Sequence, residues 1–375
     1  MLDYEALRLI WWVLLGVLLI GFVIMDGFDL GIAMIYRFIG RDDAERRVLL
    51  ETIEPVWEGN QVWLILGAGA IFAAWPILYA TAFSGFYEGM LLVLLALILR
   101  PVALTFRGKL VSTVWRKTWD WALLISGVVP SLVFGIVFGN ILLGVPFYFD
   151  ETLRMTYQGE FFDLLNPFAL LCGLVSISML IMHGANYAAL KTNHAISKRS
   201  AVTSQIAALI FVICFSVAGL WVRNWISGYQ ITSVIDPNSP SNPVNKKVII
   251  SAGFWLTNYI NHPWMVTAPA LAYTGTLFSL ISVKRYPLLA FISSAVTAGA
   301  AICTTGFTAF PFLLPSSSHP NSSLTIWDAS SSRGTLLNML IAAVIFIPII
   351  LTYTSWVFRV LRGKIDIKDL HDGVY

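Results

Sequence analysis

G-F-V-I-M-D-G-F-D-L-G, residues 21–31, closes the first apolar run of the chain and sets Asp26 and Asp29 inside a stretch otherwise fit to cross a bilayer. A carboxylate near the middle of a membrane helix costs on the order of 3 kcal/mol, so it faces a partner or a watery cavity. At helical spacing the two carboxylates share one face, about 4.5 Å apart along the axis at ~1.5 Å per residue. Gly27 and Gly31 form a G-x-x-x-G ridge beside them, where a second backbone can approach closely. Two readings fit this stretch: a polar knot that locks helices together, or a path for protons or ions. The second is preferred.

Outward from this stretch, the whole chain has membrane composition. Its 375 residues are 57% hydrophobic and 12% charged, against about 25% charged in a soluble domain, and mean hydropathy is +0.76. The net charge of +3 suggests no nucleic-acid partner. Cys172, Cys214 and Cys303 stand alone in apolar runs, without the C-x-x-C spacing of a metal or redox pair. Asp3, Glu5 and Arg8 precede the first run, which has no small-residue cleavage site, so the first helix is expected to stay attached.

Apolar runs long enough to span, about 20 residues each, predict an all-α polytopic membrane protein with nine transmembrane helices. They fall near residues 10–35, 56–75, 79–100, 121–143, 166–186, 202–222, 264–283, 287–310 and 336–358, as two four-helix bundles plus one peripheral helix. Of the 24 Lys and Arg residues, Arg8, Arg154, Arg223, Lys246, Lys247 and Arg333 fall on one side. Arg100 ends a span, and all the others fall on the opposite side. The positive-inside rule then puts the N-terminus outside and the C-terminal tail in the cytoplasm.

Three external segments, 145–165, 222–263 and 311–334, are long enough to fold. The second carries P-N-S-P-S-N-P at 237–243, whose prolines lack donors and exclude regular structure. After it, residues 244–260 read either as a short interfacial helix anchored by Phe254, Trp255 and Tyr259, or as a covered loop. The triplet Asn321-Ser322-Ser323 matches a glycosylation acceptor, but such triplets are common and the reading is set aside.

This topology turns scattered charges into a cluster. Asp26 and Asp29 lie toward the basic end of the first helix. The second opens there with E-P-V-W-E-G-N-Q-V-W, placing Glu54 and Glu58 four residues apart on one expected helical face, with Asn60 and Gln61 extending the polar strip. The third returns to end at Arg100-Pro101, bringing a cation to the same level. Such an arrangement suits proton intake from the basic side, with structural ion pairing as the alternative. Glu88 is expected near mid-bilayer without a cation, while Arg116, Lys117 and Asp120 read as interfacial charges.

A haem held across a helical bundle needs axial ligands at membrane depth, usually His or Met. Only His183 of the five histidines falls inside a span; His194, His262, His319 and His371 fall in connections. The chain therefore should not build a bis-histidine haem site, and redox chemistry is expected mostly in a partner. No phosphate loop, catalytic triad or zinc spacing is present, so activity in isolation is not expected.

Several stretches now match a family. D-Y-E-A-L-R-L-I-W-W and D-G-F-D-L-G, then W-E-G-N-Q-V-W-L-I-L-G-A-G-A-I-F-A-A-W-P, A-F-S-G-F-Y and L-R-P resemble subunit II of the bacterial cytochrome bd quinol oxidases. G-N-I-L-L-G-V-P-F, L-N-P-F-A-L-L-C-G-L, F-P-F-L-L-P-S-S and S-L-T-I-W-D-A-S-S-S continue the likeness in collinear order over almost the whole chain. The resemblance implies a heterodimer with a larger subunit I that carries two b-type haems, one d-type haem and the quinol-binding loop. It implies quinol oxidation at the outer face of the bacterial cytoplasmic membrane, reduction of dioxygen to water, and proton supply from the cytoplasm without pumping. A small single-helix subunit and a structural quinone accompany some members.

Asp26, Asp29, Glu58 and Arg100 stand at positions of that family's intramembrane polar cluster, and Trp63 matches an aromatic near its dioxygen route. Position 58 is often Asp in the family, position 54 uncharged and position 88 apolar, so Glu54 and Glu88 suggest a shifted proton path and a side branch such as the cyanide-insensitive oxidases. The rival reading is a proton-coupled transporter built around the same carboxylates.

Overall fold

The computed structural model describes residues 3–366 and Lys368; His371 lies outside the described residues. Asp3 caps α1 (Tyr4–Ile39) by accepting from the Ala6 amide at 2.8 Å. A short surface helix α2 (Asp43–Glu51) follows, then α3 (Trp57–Ala74), α4 (Pro76–Gly85), α5 (Tyr87–Phe106) and α6 (Thr113–Leu143). The second half comprises α7 (Pro167–Lys191), α8 (His194–Asn224), the five-residue α9 (Thr257–Asn261), α10 (Thr267–Ser282), α11 (Pro287–Ala309) and α12 (Arg333–Val360). Among the described residues, eight helices are long and apolar enough to cross a membrane. The exception among the expected spans is α3, whose 18 residues include Glu58, Asn60 and Gln61.

Helices α1, α3, α5 and α6 pack as one group, and α7, α8, α10 and α11 as another, joined where α1 and α6 meet α7. Outside both lies α12, resting mainly on α1 and α3 with only 6% of its apolar window buried. Glycine sets the approach of the groups. A Cβ added at Gly31 would lie 2.8 Å from the Gly184 Cα on α7, so any side chain there forces the backbones apart. The G-x-x-x-G ridge does receive a second backbone.

The expected span 79–100 is divided. Residues 76–85 form α4, whose first helical residue is Pro76, and the spanning helix starts only at Tyr87. The interfacial helix expected over 244–260 is also replaced: Val248–Ala252 is a strand, followed by a 3-10 turn (Phe254–Leu256) and α9. Trp255 is 2% exposed, its Nε1–H donating to the Leu142 carbonyl at 2.9 Å, so it anchors the loop to the bundle rather than to an interface.

The three long connections fold as antiparallel hairpins at one end of the bundle: β1 (Phe147–Phe149) with β2 (Met155–Tyr157), β3 (Ser227–Ile231) with β4 (Val248–Ala252), and β5 (Phe312–Leu314) with β6 (Leu324–Thr325). Buried Arg8 ties the second and third of these connections to α1. Its Nε donates to Ser330 Oγ at 2.8 Å and its Nη2 to the Ser239 carbonyl at 3.1 Å, inside the proline-rich 237–243 stretch. Lys246 and Asp328, both buried, pair at 2.8 Å in the same cap. There burial pushes the Asp328 carboxyl up and the Lys246 ammonium down from their ordinary values, while their mutual attraction opposes both shifts.

Candidate functional site: a buried carboxylate and arginine cluster

Asp26 and Asp29 sit about 20 Å and 15 Å from the C-terminal end of α1, at a rise of ~1.5 Å per residue, with Asp29 the nearer to the basic face. Both are fully buried, as is Arg100 near the same end of α5. Arg100 grips Asp26 with two nitrogens, Nη1 to Oδ1 at 2.5 Å and Nη2 to Oδ2 at 3.3 Å. Asp29 is held differently: Asn60 of α3 donates from its Nδ2 to Oδ2 at 2.8 Å, and Oδ1 has no partner among the described residues. Three helices of the first group thus meet at one buried polar point.

The structure does not bring every expected residue to that point. Glu54 lies in the turn at residues 52–56 before α3, so it shares no helical face with Glu58. Glu58 itself is exposed on α3, two residues from Asn60 and hence roughly 200° around the helix from it. Glu88 is exposed in the first turn of α5, twelve residues and roughly 18 Å along the axis from Arg100. Its expected mid-bilayer placement is corrected, because α5 begins later than the apolar run does. Helix α3 therefore offers the cluster Asn60 inward and Glu58 outward.

Asp120, expected among the interfacial charges, is 1% exposed at the basic face. It accepts from Tyr36 Oη at 2.9 Å, Arg46 Nη1 at 2.9 Å and Arg107 Nε at 2.6 Å. Arg107 also pairs with Asp43 at 2.9 Å, and Arg116 with Asp43 at 2.7 Å. This network ties the ends of α1, α2, α5 and α6 together. Its members come from separate connections, so no local spacing announces it.

His183 packs beside the cluster without joining it. Its Nδ1 meets Ser294 Oγ at 2.8 Å, its Nε2 meets the Ile24 carbonyl at 2.9 Å, and its ring stacks on Phe291. With both nitrogens engaged, it does not fit as a haem ligand. His194 begins α8 with an 88% exposed side chain and does not fit either. Trp63 lies against Gly21 of α1 and lines an apolar cavity of about 540 Å³ with Trp12, Phe86 and Phe138. A second apolar cavity, of about 390 Å³, opens between the two helix groups beside Gly27, Met179 and Tyr273.

Comparison with known proteins identifies the family of the chain. Residues 7–361 match the family described as Cytochrome bd terminal oxidase subunit II. The chain is 49% identical over 376 residues to cytochrome bd-I ubiquinol oxidase subunit 2 of Escherichia coli K12, covering 100% of this chain and 99% of the relative. It is 31% identical to cytochrome bd ubiquinol oxidase subunit 2 of Bacillus subtilis, covering 97% of this chain and 98% of that one. A chain of the bd oxidase from Geobacillus thermodenitrificans shares the fold, with a TM-score of 0.62 at 16% identity over 95% of this chain and 98% of that one. The buried cluster therefore sits in a chain that belongs to the cytochrome bd terminal oxidase subunit II family.

Proposed function

We propose that this chain supplies protons from the cytoplasm to the dioxygen-reducing centre of its complex. Family membership makes it a multi-pass membrane subunit of a terminal quinol oxidase, which removes the transporter reading. The observation that carries the finer proposal is the buried Asp26–Arg100 pair with Asp29 beside it, because carboxylates inside a membrane bundle are costly unless used.

The positive-inside rule puts the basic face in the cytoplasm and the hairpins outside. Proton intake then starts at Glu58, on the outward face of α3, and passes toward Asp29 and the Asp26–Arg100 pair. Glu54, in the turn before α3, and Glu88, roughly 18 Å along α5 from Arg100, are given no step. The b and d haems are assigned to a subunit I partner, in keeping with the engaged nitrogens of His183. The Trp63 cavity suits dioxygen, an apolar solute, and the cavity between the helix groups has the size of a small-ligand pocket, about 300–1,000 Å³, suited to a structural quinone.

Glu58→Gln in the intact complex tests the intake. It keeps shape and hydrogen bonding but removes the titratable proton, so haem content should stay normal while quinol oxidation falls at least ~10-fold. Glu58→Asp should retain substantial activity. Full activity of Glu58→Gln with intact haems refutes the role of this residue.

A further inference from the structure

We propose that the two buried carboxylates of α1 divide the work: Asp29 exchanges a proton during turnover, whereas Asp26 is a permanent anion fixed by Arg100. This rests on the proton-supply reading above. Asp26 spends both oxygens on the guanidinium, at 2.5 and 3.3 Å. Protonating it would strand a fully buried Arg100 without its anion, and a forked pair of charge-assisted bonds resists that exchange. Asp29 has the opposite situation. Its one bond among the described residues comes from a neutral amide on Oδ2, which the anion accepts more strongly but the acid's carbonyl oxygen still accepts, and Oδ1 has no partner there and can take the proton.

The charge count points the same way. Among the described residues, Asp26 and Asp29 face one cation, Arg100 of α5, with neutral Asn60 from α3. From α7 come His183, both nitrogens bonded, and Tyr187, whose hydroxyl donates to the Thr52 carbonyl at 3.3 Å. Ser294 is the polar contribution of α11, and the Asp120 carboxylate of α6 is answered by Arg46 and Arg107. The cluster thus carries one negative charge with Asp29 ionised and none when Oδ1 gains a proton. Nothing else breaks or forms: Asn60 Nδ2–H continues to donate to Oδ2 and Arg100 to Asp26. Asn60 acts as a positioning residue, holding Asp29 to the helix that carries Glu58 on its other side.

Infrared difference spectroscopy of the intact complex in H₂O and D₂O reads this directly through the carbonyl stretch of a protonated carboxylic acid. The turnover-linked, deuterium-sensitive band should vanish in Asp29→Asn and persist in Asp26→Glu, which keeps an anion for Arg100. Quinol oxidation should fall at least ~10-fold in Asp29→Asn at unchanged haem content. If Asp29→Asn does not assemble, Asp29→Glu decides: the band must change position, and an unmoved band overturns the proposal. Wild-type turnover, or a retained band, in Asp29→Asn overturns it as well. Slow Glu58→Gln with fast Asp29→Asn refutes the division of labour alone, whereas full speed in both refutes proton supply through this chain.

Discussion

Arg100→Met removes the one cation of the buried cluster and tests how the pair is held. Arg100 and Asp26 are both fully buried, with contacts at 2.5 and 3.3 Å. Removing one partner of such a pair leaves an uncompensated buried charge, which costs about 3–5 kcal/mol, a large share of a total stability of about 5–15 kcal/mol. Asp26→Leu combined with Arg100→Met replaces the pair by apolar groups of similar bulk, which is often neutral or stabilising. The double variant should therefore recover most of the loss, giving a coupling larger than either single loss, at least about 3–5 kcal/mol. The assay is thermal inactivation of the detergent-solubilised complex, with haem content as the measure of assembly. If Arg100→Met costs less than about 1 kcal/mol, as an exposed pair would, or if the double variant loses the sum of the two single losses, the pair does not sit in a dry interior and the argument fails.

Two further outcomes follow from where other residues lie. His183→Ala should keep the haem bands and most oxidase activity while lowering stability by about 1–3 kcal/mol, because it bridges α7 to Ile24 and Ser294. Loss of a haem band with both subunits present would put a haem in this chain. Glu88→Gln, at an exposed position, should assemble normally with a stability change within about 0.5 kcal/mol; a failure to assemble would reveal a partner that Glu88 meets in the complex.

The repeated apolar helices and the long connections between them were legible because each needs only a run of apolar residues and a break. Gly27 and Gly31 were legible as a crossing because a G-x-x-x-G ridge lets a second backbone approach closely, and α7 does cross there. The break between α4 and α5 was not. Residues 76–98 are apolar almost throughout, so hydropathy cannot say where one helix stops, and the Gly85–Phe86 junction is settled by Tyr157, whose ring packs against Gly85 from the β2 hairpin. The strand at 248–252 was hidden for a similar reason: its partner, Ser227–Ile231, lies across the proline-rich stretch, and pairing at that distance leaves no local period.

The sequence by itself determined that this chain crosses a membrane repeatedly, that its basic connections share one side, and that Asp26, Asp29 and Arg100 arrive at similar depth. These follow from hydropathy and helical rise, which are local and additive. Only the tertiary structure decided which carboxylate the arginine holds, that Asn60 rather than Glu58 turns inward, and that Asp120 is buried. Those outcomes depend on the rotation of each helix about its axis. Rotation is set by how glycines and bulky side chains on neighbouring helices fit together, and a single helix carries no record of its neighbours.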